Sequence, residues 1–105
     1  MADLYVKTKK QFDDVVKDNV LVAVDFTASW CPPCRMIGPK FEAMQADFPS
    51  IKFIKIDVDD NSETAEAFKI SAMPTFKFIK NGKEVDELVG ASEEKLKQKL
   101  QALAA

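Results

Sequence analysis

The segment Leu-Val-Ala-Val-Asp-Phe, residues 21–26, restricts the fold more than any other part of this sequence. Five of its six residues are apolar, and the one interruption is Asp25. A nearly continuous apolar run of this length is typical of a β-strand buried on both faces. Such a strand needs other elements above and below it. We therefore expect a central sheet with helices on both sides.

Capping residues and apolar stripes predict four helices. The first begins at Thr8, which forms a capping-box pattern with Gln11. The second is predicted from about residue 32 to residue 48 and contains Pro39, where we expect a kink. A short third helix begins at Asn61 or Ser62, and a last one begins after residue 92, a serine.

Five segments are predicted to be strands, namely residues 4–6, 21–26, 51–58, 75–80 and 83–89. The last two are joined by Asn81-Gly82, a strong signal for a two-residue hairpin turn. Strand–helix–strand alternation predicts parallel pairing, to which the hairpin adds an antiparallel pair. The expected architecture is α/β, in the order β-α-β-α-β-α-β-β-α, with a mixed central five-stranded sheet flanked by four helices.

The composition fits a single domain spanning residues 1–105 and excludes several classes of function. The net charge is -2 and no basic block is longer than Lys9-Lys10, unlike a nucleic-acid-binding surface. No apolar run reaches the length of a membrane span, and the N-terminus does not resemble a secretory signal. We expect a cytoplasmic protein. Because the chain has no histidine, Ser-His-Asp and Cys-His catalysis are excluded.

Both cysteines lie in Trp30-Cys31-Pro32-Pro33-Cys34, between the buried strand and the second helix. Cys31 falls near the N-cap, where the free N–H groups and the dipole of a helix stabilise a thiolate. Cys34 follows on the same helix face, so the two sulfurs can meet. This asymmetry suits dithiol exchange, in which one thiolate attacks a disulfide and a shielded thiol resolves the mixed disulfide.

Other uses of the two cysteines are a structural disulfide, a metal site or two ordinary buried thiols. A disulfide closing so short a loop contributes only about 2 kcal/mol, against about 4.7 kcal/mol for a loop of about 100 residues. Tetrahedral zinc takes four ligands, whereas two cysteines and no histidine are present. A metal or an iron–sulfur cluster would need a dimer or an outside ligand. Redox chemistry is the favoured interpretation.

Several motifs together make the sequence similar to the thioredoxin family over essentially its whole length. They are Val24-Asp25-Phe26, Trp30-Cys31 with Pro33-Cys34, Pro39, Lys55-Ile56-Asp57-Val58-Asp59, Met73-Pro74-Thr75-Phe76, Asn81-Gly82 and Val89-Gly90-Ala91. The resemblance implies the thioredoxin fold and a thiol–disulfide oxidoreductase that reduces protein disulfides. It implies no bound cofactor besides a redox-active Cys31–Cys34 disulfide. The implied partners are disulfide-containing targets and a thioredoxin reductase, a flavoprotein that uses NADPH.

The resemblance also implies a role for individual residues. Cys31 matches the nucleophile of the family and Cys34 its resolving thiol. Asp25 matches a buried acid that moves protons, Lys55 matches the partner of that acid, and Pro74 matches a cis-proline facing the disulfide. The residues assigned to a substrate-binding surface are Trp30, Pro32, Met73, Pro74, Val89, Gly90 and Ala91.

The residues themselves support part of this assignment. An unpaired carboxyl in a buried strand has a raised pKa, and Asp25 is then the natural proton acceptor for Cys34. The alternative is an aspartate that faces water at a strand end, and Lys55 alone would be a solvated surface residue. Two departures from the family pattern are Pro32, where the best-known members have glycine, and Thr27, where many have an aromatic residue. We expect Pro32 to tune the redox potential without changing the reaction.

Alternative functions remain open at this point. One is a thiol oxidase or disulfide isomerase on the same fold, which usually works in an oxidising compartment. Another is a binding module whose apolar surface accepts a partner only when both cysteines are reduced. The Pro-Pro form of the motif looks like the plant-type cytosolic thioredoxins. We expect a monomer, with a weak dimer through the apolar surface left open.

Overall fold

The computed structural model describes residues 3–105; Met1 and Ala2, which the domain prediction includes, lie outside the described residues. The helices of this range are α1 (Lys9–Asp18), α2 (Pro32–Ala43), α3 (Ser62–Ala67) and α4 (Glu93–Ala104). Its strands are β1 (Leu21–Thr27), β2 (Lys52–Asp57), β3 (Thr75–Lys80) and β4 (Lys83–Val89). The predicted α/β class and number of helices are therefore confirmed.

The sheet has four strands over residues 3–105, in the order β2-β1-β3-β4, so the prediction of five strands is wrong. The first element is α1, not a strand. Residues 4–6 make only an isolated bridge between Tyr5 and Lys55. Two backbone hydrogen bonds support it, from Val6 N to Lys55 O and from Lys55 N to Leu4 O. The ladder stops there because the chain turns into α1 only a few residues later.

Strand directions also differ in part from the prediction. β1 and β2 are parallel, as expected, and the β3–β4 hairpin is antiparallel. β3, however, runs antiparallel to β1. The preceding helix, α3, has six residues and is therefore only about 9 Å long, against about 20 Å for a strand of six residues. It cannot carry the chain back along the sheet, so β3 starts at the end where β2 finishes.

Helices cover both faces of the sheet, as the buried strand predicts. Side chains alternate along β1, which sends Val22, Val24 and Phe26 to the face covered by α1 and α3. Ala23 lies on the opposite face, under α2 and α4. The hydrophobic core on this face, between the sheet and helices α2 and α4, contains the following buried residues: Ala23, Ile37, Phe41, Met44, Phe48, Ile51, Phe53, Phe76, Phe78, Leu88, Leu96, Leu100 and Leu103. By the same alternation Asp25 belongs to the α2 face.

The predicted caps are present at the helix starts. Thr8, Asn61 and Ser92 each accept a hydrogen bond from the backbone N–H three residues later. Asn81 and Gly82 have φ angles of 52° and 80°, which is the left-handed geometry of a two-residue hairpin turn. The second helix is shorter than predicted, because α2 ends at Ala43 and a 3-10 turn, Met44–Asp47, replaces its last turn.

Candidate active site

A disulfide joins Cys31 and Cys34 at the N-terminus of α2. Cys31 is the N-cap residue, and its Sγ accepts a hydrogen bond from the Cys34 backbone N–H at 3.4 Å. Pro32 and Pro33 occupy the first two helical positions, where a missing N–H removes no intrahelical bond. The remaining N–H groups and the helix dipole favour negative charge on Cys31 when the disulfide is reduced.

The two sulfur atoms of the disulfide have different surroundings. Cys31 and Cys34 are only 4% and 2% exposed. Cys31 Sγ lies 3.7 Å from the backbone carbonyl oxygen of Met73, which belongs to the loop before β3. Cys34 instead lines a cleft on the side of α2, away from that loop. A partner that approaches past Met73 therefore reaches Cys31 first.

The loop opposite the disulfide is joined to the end of β4. The Met73–Pro74 peptide bond is cis, as the resemblance implies, and Pro74 is buried. The Gly90 N–H donates a hydrogen bond to the Pro74 carbonyl oxygen at 2.9 Å. Gly90 has a φ of 109°, a conformation that other residues rarely adopt. These contacts bring Met73, Pro74, Val89 and Gly90 to the end of the sheet that carries the disulfide.

The predicted substrate-binding residues differ in exposure. Trp30 is 62% exposed, so its side chain lies on the surface of the protein and not in the core. Its indole N–H donates a hydrogen bond to Asp59 Oδ2 at 2.8 Å, a contact that the sequence did not suggest. Pro32 and Val89 are also exposed, whereas Met73, Gly90 and Ala91 are half-buried. Ala91 packs partly against the core under α2 and α4.

Asp25 is completely buried, which excludes the interpretation of a strand-end aspartate in water. Neither carboxyl oxygen has a hydrogen-bond partner within residues 3–105. Burial raises the pKa of Asp25 to about 7, although the positive charge of Lys55 opposes this and the negative charge of Glu42 adds to it. A carboxyl with this pKa can both take and release a proton near neutral pH.

Lys55 is also buried, but its hydrogen-bond partner is not Asp25. Its ammonium donates to Glu42 Oε2 at 3.0 Å and lies 5.0 Å from the ring centre of Tyr5. Burial disfavours the charged form, yet the hydrogen bond to Glu42 and the nearby negative groups outweigh this and raise the pKa of Lys55. The implied pairing with Asp25 is therefore a charge interaction without a hydrogen bond.

Glu42 and Gly38 are site residues that the sequence analysis missed. With Cys34 they line a cleft of about 240 Å³ between α2 and the ends of β1 and β2, which also includes Lys55. The spacing carries a signal, because residues 34, 38 and 42 follow one another at intervals of four on one helix face. A glycine inside a helix is unfavourable and also marks the position.

A metal centre finds no support in the described part of the chain. Among residues 3–105, no group of three or more His, Cys, Asp or Glu side chains is arranged to hold a metal ion. The helices of the same range include none long and apolar enough to cross a membrane.

Comparison with known proteins agrees with this geometry. The sequence profile of the thioredoxin family matches residues 3–102. A thioredoxin of Geodia cydonium is 54% identical over 99 residues, covering 91% of this chain and 93% of the relative. An H-type thioredoxin of Picea mariana is 48% identical, covering 92% and 78% respectively. The structure of Plasmodium falciparum thioredoxin superimposes with a TM-score of 0.93 at 44% identity, covering 95% of this chain and 98% of the other.

Each of these matches covers more than nine-tenths of the chain. The fold, the disulfide at the N-terminus of α2 and the matched residues point to one kind of chemistry, in which two electrons are carried by a pair of thiols. The chain belongs to the thioredoxin family, and it is a thiol–disulfide oxidoreductase, a dithiol–disulfide reductase whose redox carrier is the Cys31–Cys34 pair.

Proposed function

We propose that Cys31 is the nucleophile and Cys34 the resolving thiol of this reductase. The observation that supports this order best is the asymmetry of the disulfide, since Cys31 caps α2 beside Met73 while Cys34 lines the cleft behind it. In the first step the Cys31 thiolate forms a bond to one sulfur of the target disulfide. The second target sulfur leaves as a thiolate and takes a proton from solvent.

In the second step Cys34 resolves the mixed disulfide. Asp25 takes the proton of the Cys34 thiol, and the resulting thiolate attacks Cys31 Sγ. The Cys31–Cys34 disulfide forms and the remaining target sulfur leaves, so the target has gained two electrons. Lys55 modulates the charge on Asp25 in this scheme. The oxidised pair is the form in which the structure holds the two sulfur atoms.

The proposed docking surface consists of Trp30, Pro32, Met73, Pro74, Val89, Gly90 and Ala91. Exposed Trp30 and Val89 offer apolar contact area, and the buried Pro74 supports the loop from below. The Met73 carbonyl beside Cys31 is suited to accept a hydrogen bond from an extended target segment. Such a main-chain hydrogen bond is compatible with many target sequences, because it involves no side chain of the target.

Family membership implies interaction with a thioredoxin reductase and with disulfide-containing proteins. We propose that this reductase is a flavoprotein that draws its electrons from NADPH. The Cys-Pro-Pro-Cys motif and the H-type relative support a cytosolic thioredoxin. We further propose a single domain over residues 1–105 that works as a monomer, with at most weak dimerisation through the docking surface.

Insulin reduction coupled to thioredoxin reductase and NADPH tests this function. The wild-type chain should accelerate NADPH consumption, and Cys31→Ser should abolish it. Cys34→Ser should instead accumulate a mixed disulfide with insulin, which non-reducing electrophoresis detects. No NADPH consumption by the wild type would refute the proposed recycling. Normal turnover of Cys34→Ser would refute the resolving role.

Two further experiments address the two alternative functions. A redox potential measured against glutathione distinguishes a reductase from an oxidase or isomerase, because an oxidant has a less negative potential. A binding module would keep its partners and its biological activity in a variant with both cysteines changed to serine. Loss of both properties in that variant supports the reductase.

A further inference from the structure

The cleft behind the disulfide contains an ion pair that thiol exchange alone does not require. The Lys55 ammonium donates a hydrogen bond to Glu42 Oε2 at 3.0 Å, and the Glu42 side chain reaches the exposed edge of the cleft. On the neighbouring strand, Asp25 is the register partner of Lys55 and keeps both oxygens without a donor within the described residues. The Lys55 ammonium thus interacts with two carboxyl groups. It is hydrogen-bonded to Glu42, and it acts on Asp25 only through its charge.

The charged and titratable groups around Asp25 can be assigned to the elements that pack against it. β2 contributes Lys55 and α2 contributes Glu42, and Cys34 of α2 lines the same cleft as both of them. β3 places Phe76, an uncharged residue, opposite Asp25. Of the other charged or titratable residues at the cleft, Tyr5 contacts the Lys55 ammonium, Asp57 lies at the end of β2, and Arg35 of α2 donates to the Ser29 carbonyl oxygen at 2.8 Å. Glu42 is therefore the one group on α2 that bonds the cation acting on Asp25.

Gly38 gives independent evidence that the position of the ammonium matters. A Cβ atom at Gly38 would lie 3.3 Å from Lys55 Nζ, which is tighter than nine in ten contacts of Cβ atoms, so the ammonium would have to shift by a few tenths of an ångström. The φ angle of Gly38 does not lie in the left-handed region, so its backbone does not require glycine. Glycine nevertheless stands inside α2, where it is unfavourable. The absence of a side chain at Gly38 leaves room for the Lys55 ammonium beside Glu42.

We propose that Glu42 is a positioning residue of the exchange reaction, whose carboxylate holds the Lys55 ammonium in the cleft and limits its action on Asp25. This inference rests on the proposed function, since Asp25 matters to turnover only if it takes the proton of Cys34. Without the negative charge of Glu42, Asp25 loses a repulsive neighbour and Lys55 becomes free to bond it. Both changes favour the ionised carboxyl, so Asp25 ionises at lower pH.

The first test follows the Asp25 carboxyl carbon by NMR as a function of pH, in the oxidised protein, where neither cysteine titrates. Glu42→Gln should lower the midpoint by roughly one pH unit or more. Glu93→Gln is the matched control, since it removes a carboxylate that also lies 3.0 Å from a lysine of α2, Lys40. Equal midpoints in the wild type and both variants would overturn the proposal.

A double-mutant cycle separates positioning from a simple charge effect. In a Lys55→Met background, Glu42→Gln should shift the midpoint by less than half of its effect in the wild type, because no ammonium remains to be released. A shift of the same size in both backgrounds would mean that Glu42 acts on Asp25 only through its own charge. That result would overturn the proposal even if all variants fold normally.

The second readout is the rate at which the reduced target is released in a single turnover. Its pH midpoint should move downward in Glu42→Gln together with that of Asp25. If the Asp25 midpoint moves and the release profile does not, Glu42 has no positioning role in the reaction. The coupled NADPH assay on the wild type tests the proposed function separately, so the two failures are distinguishable.

Discussion

Asp25 and Lys55 are register partners in the parallel strands β1 and β2, yet the Lys55 ammonium gives its hydrogen bond to Glu42. The Asp25 carboxyl therefore remains buried with a charge nearby but without a donor in the described chain. Burial raises its pKa to about 7, with Lys55 only partly offsetting the effect. The native protein thus holds a proton at Asp25 that the unfolded chain has already released at pH 6 or so.

This proton makes stability depend on pH in a defined direction. Between about pH 4 and pH 7 the native state binds more protons at Asp25 than the unfolded state, so the free energy of unfolding falls as pH rises. A pKa of about 7 in the native state, against the usual 3.8, means that the free energy of unfolding is lower by about 4 kcal/mol above pH 7 than below pH 4. Asp25→Asn should therefore stabilise the oxidised protein by up to about 4 kcal/mol near pH 8 and change it little near pH 4.

Urea unfolding at both pH values measures this difference. The matched control is Asp47→Asn, an exposed aspartate in the turn after α2, whose replacement should leave the pH dependence unchanged. An Asp25→Asn variant less stable than the wild type near pH 8 would contradict the predicted burial cost.

Asn61 connects α3 to the segment before α1, and its replacement should be costly. Its Oδ1 accepts hydrogen bonds from the N–H and the hydroxyl of Thr64, while its Nδ2 donates to the Val6 carbonyl oxygen. Asn61→Ala should lower the free energy of unfolding by about 2–4 kcal/mol, since it removes a cap and leaves buried groups unpaired. Ser92→Ala, at a more exposed cap, should cost only about 1 kcal/mol. Equal losses in urea unfolding would contradict this role.

Lys69 occupies a position that favours glycine. Its φ of 56° ends α3 in a Schellman motif, in which the Ile70 N–H bonds the Ala65 carbonyl and the Lys69 N–H bonds the Glu66 carbonyl. Lys69→Gly should stabilise the protein by about 0.5–1 kcal/mol, because glycine adopts this conformation without steric cost. Lys97→Gly, on the exposed face of α4, should cost about 1 kcal/mol. Thermal unfolding that shows both changes to be destabilising would disprove the prediction.

Asp59 fixes the orientation of Trp30, the single tryptophan, beside Cys31. Asp59→Ala should free the indole ring and lower the rate of insulin reduction roughly two- to five-fold, the range expected for one exposed hydrogen bond. The neighbouring Asp60→Ala removes the same charge without touching Trp30 and should leave the rate close to that of the wild type. A similar loss in both variants would attribute the effect to charge rather than to orientation.

Local signals in the sequence predicted most of the fold. Asn81-Gly82 predicted the hairpin because the turn needs left-handed backbone at both residues, and the structure has it. Thr8 and Ser92 predicted helix starts because a cap acts within three residues of itself. The direction of β3 was predicted wrongly, since it depends on how far the short helix α3 carries the chain rather than on any local pattern.

The residues of the active site were predicted less completely than the fold. The two cysteines were indicated by their spacing at a strand–helix junction. The place of Asp25 in an apolar run suggested a buried acid but left a water-facing aspartate as the alternative, which its burial in the structure excludes. Glu42 was missed because a glutamate on a helix is usually solvated, and only the packing of α2 against β2 gives it Lys55 as a partner. The bond between Trp30 and Asp59 joins residues 29 positions apart, so no local pattern could indicate it.

The cleft that reaches Cys34 from the side of α2 has a consequence for how the enzyme works while a target is bound. In the proposed scheme the target binds at Cys31, at the tip of the helix, whereas the cleft opens along the flank of the helix beside Cys34 and Lys55. The two openings lie on different sides of α2. A polypeptide docked over Cys31 would therefore leave the cleft uncovered, and solvent would keep its access to the Cys34 side of the pair while the mixed disulfide lasts.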